Sequence, residues 1–105
     1  MTVLKLAGED LINQAVAYGN LGIVYQIRGE LDRALEYHQK SLAIAKQLGN
    51  KEVMANQYGN LGVVYQTRGE LDQAIEYWEK SLALFQQVGA KDRVDRVQSS
   101  LNKVK

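Results

Sequence analysis

The sequence predicts an all-α chain built as a solenoid, in which antiparallel helix hairpins stack side by side. Three observations predict it. Residues 18–57 match residues 58–97 at 23 of 40 positions, so "YGNLGIVYQIRGELDRA" returns as "YGNLGVVYQTRGELDQA" forty residues later. A repeat of that length marks one supersecondary unit stacked on its own copy. Apolar residues recur at three- and four-residue spacing, which places them on one helical face. Proline is absent from the 105 residues, so glycine is the one strong punctuation in a chain rich in helix formers.

The elements follow in order. Residues 1–7 read as the end of a preceding helix, closed at Gly8. From about Glu9 to Arg28, Ile12, Ala15, Tyr18, Leu21, Gly22 and Tyr25 share a face. Gly29 then supplies the permissive backbone of a left-handed helix cap. A second helix begins near Glu30 or Leu31, with Glu30 and Asp32 close to its positive end. Its buried side is expected to hold Leu31, Ala34, Leu35, His38, Ser41, Leu42 and Ala45, and it ends at Gly49. Gly69 and Gly89 repeat this pattern. Val94, Val97, Leu101 and Val104 then form the stripe of a fifth helix. The chain thus reads as one domain of about two and a half units and five main helices: 9–48 a first repeat, 50–88 a second, and 90–105 a terminal or capping helix.

Composition narrows the function. The net charge of +1 sets up no global field for nucleic acid or membrane. Residues 90–105 carry five basic and two acidic side chains, or +3, leaving −2 for the rest. There is no cysteine, hence no disulfide, thiolate ligand or thiol nucleophile. No apolar run is long enough to cross a bilayer, and "MTVLKLAGED" is too short in its apolar part for a signal peptide. A cytoplasmic protein is expected.

Reactive chemistry finds little support. His38 is the single histidine, and its counterpart in the second copy is Trp78, so the ring is read as packing. One histidine without cysteine or clustered carboxylates meets no metal-ligand spacing. "GNLG" sits inside a helical pattern and lacks the lysine and hydroxyl of a phosphate loop. Glu30, Asp32 and Glu36 recur as Glu70, Asp72 and Glu76, and repetition in register speaks for helix-start electrostatics over an acid/base pair. The expectation is a non-catalytic protein without metal or cofactor. Nucleic acid is not expected either, since Asp92 and Asp95 interrupt the basic helix and no aromatic accompanies it.

The spacing of Tyr18, Leu21, Gly22, Tyr25, Gly29 and Ala34, and again of Tyr58, Leu61, Gly62, Tyr65, Gly69 and Ala74, resembles the tetratricopeptide repeat. Ser41 and Ser81 stand where that family prefers a small residue, and His38 and Trp78 where it prefers an aromatic. The forty-residue period and missing proline depart from the commoner 34-residue form, and are similar to the repeats of kinesin light chains and spindle-orientation adaptors. The resemblance implies a right-handed superhelix with the first helix of each unit on its concave side. Gly22 and Ala34 are then expected to let the paired helices touch backbone to backbone.

It also implies a peptide-binding groove. Its lining is expected from Val16, Asn20, Ile23, Gln26 and Ile27, then Asn56, Asn60, Val63, Gln66 and Thr67, then Arg93, Arg96, Ser100 and Lys103. Asparagines at the places of Asn20 and Asn60 contact bound peptides in similar family members. An amide offers donors and an acceptor together, so it can grip a backbone of any sequence. Arg93, Arg96 and Lys103 would favour an acidic segment. The alternative is self-association into a homodimer or higher oligomer, through open solenoid ends or exchange of near-identical hairpins.

Overall fold

The computed structural model describes residues 3–105, and their side chains from Asp10 on. Five helices follow one another: α1 (Val3–Ile27), α2 (Leu31–Leu48), α3 (Lys51–Thr67), α4 (Leu71–Val88) and α5 (Lys91–Val104). α1 pairs with α2 and α3 with α4; α2 then packs on α3, α4 on α5, and α1 touches α3. The stack is flat, 50 × 32 × 18 Å. Among the described residues there is no strand.

From Gly29 on, the helix ends are where glycine predicted them. Gly49 adopts φ 67°, its N–H bonds to Lys46 O (3.1 Å), and the N–H of Asn50 bonds to Ala45 O (2.9 Å). Only a residue without Cβ enters this left-handed cap at no cost. Asn50 then caps α3, its Oδ1 accepting from the Val53 N–H at 3.0 Å. Gly29 (φ 78°) closes α1 in the same way, with the Glu30 N–H on Tyr25 O at 2.8 Å.

Two expectations need correction. The break at Gly8 is not there: α1 runs through it from Val3 to Ile27. A glycine inside a helix costs about 1 kcal/mol relative to alanine, which weakens a helix without ending it. The second correction concerns Gly22 and Gly62, which do not mark a backbone-to-backbone contact. A Cβ on Gly22 would stand 2.6 Å from His38 Cε1, and one on Gly62 would stand 2.4 Å from Trp78 Nε1. Each glycine opens a slot that receives the ring at the matching position of the paired helix.

The core is continuous through the second hairpin. Ala55, Ala74, Trp78, Phe85, Val97 and Leu101 form one buried cluster across α3, α4 and α5. Leu42, Tyr58 and Leu61 form another where α2 meets α3. Two serines seen as small packing residues also carry polar bonds. Ser41 Oγ donates to Ala15 O at 2.6 Å and Ser81 Oγ to Ala55 O at 2.8 Å, tying each hairpin across its crossing. Each hairpin also stacks three tyrosines, Tyr18–Tyr37–Tyr25 and Tyr58–Tyr77–Tyr65, with centroids 5.3–5.9 Å apart.

Candidate functional site

α1 and α3 meet at Gly19, where a Cβ would stand 2.7 Å from Gln57 Nε2. Beside that close approach their exposed faces diverge and leave an open cavity of about 270 Å³. Val16, Gly19, Asn20 and Ile23 line it from α1, Val53, Asn56, Gln57 and Asn60 from α3, and Arg93 from α5. The helical period accounts for the set, because positions three, four and seven apart share a face.

The floor is a buried polar chain. Gln57 is buried between the hairpins, and its Oε1 accepts from His38 Nδ1 at 2.9 Å. An amide oxygen only accepts, so the proton sits on Nδ1 of the ring. Asn60 Nδ2 reaches the same oxygen at 3.5 Å. Burial holds the His38 pKa below its ordinary value of 6.5, opposed by the hydrogen bond to Gln57. The imidazole is thus a neutral strut under the groove, with Nε2 buried and unpartnered. At one end of the cavity Arg93 Nη1 donates to Asn56 Oδ1 at 2.7 Å, and its guanidinium lies over the Phe85 ring at 5.8 Å. That aims a preorganised cation into the opening.

Of the residues expected from the sequence, Val16, Asn20, Ile23, Asn56, Asn60 and Arg93 come together here. Val63, Gln66 and Thr67 lie outside the cavity toward the end of α3, where the Thr67 hydroxyl donates to Val63 O at 3.0 Å. Gln26 and Ile27 lie outside it at the end of α1, Gln26 half-buried and Ile27 exposed. Arg96, Ser100 and Lys103 sit further along α5, also outside. Gly19, Val53 and Gln57 line the cavity without having been singled out as lining. Gln57 did leave a trace: its register partners forty residues away are Ala17 and Val97, so an amide stands in an otherwise apolar row.

Chemically, the groove offers amide donors and acceptors, aliphatic walls and one cation. Its one histidine is spent on Gln57. Among the described residues no three His, Asp or Glu side chains gather as metal ligands would, and no helix is long and apolar enough to cross a membrane.

Comparison with known proteins identifies the architecture. The family model described as tetratricopeptide repeat matches residues 2–47 and 52–103. No curated protein matches the sequence. Among solved structures, the chain is similar to the N-terminal domain of stress-induced protein-1 (STI-1) from C. elegans, with a TM-score of 0.73 and 15% identity. That likeness covers 86% of this chain and 66% of the other, just under two thirds of its length. Twice-repeated signature, glycine slots and family match agree: the chain belongs to the tetratricopeptide repeat family, whose stacked helix hairpins are scaffolds for protein–protein interaction.

Proposed function

We propose that the chain binds an extended segment of a partner protein in the groove between α1 and α3, non-covalently and without catalysis, in the cytoplasm. The convergence of Asn20, Asn56 and Asn60 over the buried Gln57 carries this reading. Amides spaced along a groove present both halves of a hydrogen bond, which suits the alternating N–H and C=O groups of an extended backbone. Because His38 anchors Gln57 from below, the floor is ordered before any ligand arrives, which lowers the entropic cost of binding. Arg93 favours an acidic residue at the α5 end, where a carboxylate would find a bidentate partner.

The test is a capture experiment with the chain and with its Asn20→Ala/Asn60→Ala variant. Partners retained by the first and lost by the second, at unchanged helicity by circular dichroism, are the expected result. Equal retention by both would refute the groove.

One observation favours a second reading, self-association. Leu21 and Val24 on α1 are exposed, whereas the matching Leu61 and Val64 on α3 are buried, Leu61 in a cluster with Leu42 of α2. Light scattering over a range of concentrations separates the two: a stable dimer supports association, and a monomer at all concentrations removes it.

A further inference from the structure

The three first helices of the stack, α1, α3 and α5, present the same register positions to the groove side, yet their chemistry changes from one to the next. Val16 on α1 becomes Asn56 on α3 and Arg96 on α5. Ile23 becomes Val63 and then Lys103, while Asn13 becomes Val53 and then Arg93. On α1, Val16 and Ile23 are both exposed where they line the cavity. α3 contributes the amides Asn56, Gln57 and Asn60 beside Val53 and Val63, and α5 contributes cations.

The cations at the α5 end are available. Among the described residues no carboxylate lies within ion-pair distance of Arg93, Arg96 or Lys103, although other lysines and arginines of the chain are paired. Asp92 stands beside them in the first turn of α5, where the helix N-terminus attracts its charge. Arg93 gives one N–H to Asn56 and keeps further donors of its guanidinium fork for a ligand.

We infer that the groove is polarised and selects a bipartite extended segment, with an acidic side chain seated on Arg93 at α5 and an aliphatic one over Val16 and Ile23 on α1. The amides of α3 hold the backbone between them. This deepens the groove reading and rests on it. Packed helices lie about 8–10 Å apart, and because Arg93 reaches back to Asn56 on α3 and lines the same cavity as Val16 and Ile23, its guanidinium stands about one such step from the α1 wall. An extended chain rises about 3.3 Å per residue, which sets the two anchors about three residues apart. Charge complementarity determines which end of the segment lies where.

A displayed library of random peptides, longer than that span and selected on the intact chain, tests the inference. The expected result is enrichment of Asp or Glu about three residues from Leu, Ile or Val. The best synthetic peptide should then lose at least about tenfold in affinity to the Arg93→Glu/Arg96→Glu variant, the loss of one good charge-assisted contact. Val16→Asn/Ile23→Asn should remove the aliphatic enrichment alone. All four positions are exposed, so helicity by circular dichroism serves as the folding control. Enriched peptides without the paired anchors, but lost on Asn20→Ala/Asn60→Ala, would overturn the bipartite selection and leave the groove standing. Peptides indifferent to every one of these changes, or no enrichment at all, would overturn both.

Discussion

Leu21 and Leu61 stand at the same place in two copies of one sequence motif, and so do Val24 and Val64. Leu21 is 40% exposed and Val24 48%, while Leu61 and Val64 are both 0% exposed. Local sequence cannot account for this, because the six residues around each pair are nearly identical. The difference is the neighbour: α3 has α2 against its outer face, and α1 among the described residues has no helix there. Tyr58 is likewise covered, with Leu42 beside it and the Lys46 ammonium 5.8 Å from its ring centroid. At the far end, α5 covers α4 with Val97 and Leu101 and then stops the pattern. It carries Gln98, Asn102 and Lys105 where α1 and α3 carry tyrosine, the slot glycine and tyrosine. α5 therefore has neither slot nor aromatic wall for a partner helix. In a stacked architecture each unit brings half of an interface, and burial is decided by whether the other half is present.

Deleting the same side chain in both copies tests this directly. Leu61→Ala should cost about 2–5 kcal/mol, the range for a fully buried leucine, whereas Leu21→Ala should cost less than about 1 kcal/mol. Chemical denaturation of the two variants checks this, and equal losses would mean that α1 is covered in solution. The glycine slots come next. Gly62→Ala and Gly22→Ala should each cost about 1–3 kcal/mol by overpacking a buried ring, the first more than the second because Trp78 stands closer than His38. A melting temperature unchanged in either would place the ring elsewhere.

Smaller effects show what the two hairpins share. Ser41→Ala and Ser81→Ala each remove one buried hydrogen bond within a hairpin and should each cost about 1 kcal/mol, equally in both copies. A clear inequality in the same denaturation assay would show that the crossings are not equivalent. The smallest effect belongs to His38. Its folded pKa lies below the ordinary 6.5, so the unfolded chain binds the proton more readily. The stability of the neutral ring is complete above about 6.5 and is lost as pH falls from there toward the folded pKa. Denaturation midpoints should drop between pH 7.5 and pH 5.5, and drop less in His38→Asn; parallel shifts would assign the dependence to other groups.

Much of the architecture was legible along the chain. The positive-φ glycines at 29, 49, 69 and 89 ended helices as read, because a left-handed cap is a local backbone requirement. Gly8 misled, since glycine terminates a helix only where cap bonds follow it. Two thirds of the groove was legible too: Val16, Asn20, Ile23, Asn56, Asn60 and Arg93 obey the helical period. Gly19, Val53 and Gln57 were not picked out, because their lining role depends on how closely α1 approaches α3, a distance that no periodicity encodes.

The five main helices, their boundaries from Gly29 on and their pairing were legible in the sequence, since these rest on spacing, propensity and caps, all interactions within a few turns of one chain segment. Only the tertiary structure decided that the slot glycines admit a histidine and a tryptophan ring. It alone decided that Gln57 becomes a buried strut bonded to His38, and that two identical leucines meet opposite environments. Each of those outcomes depends on contact between residues sixteen or more positions apart, where the geometry of packed helices, and not the local code, sets the distance.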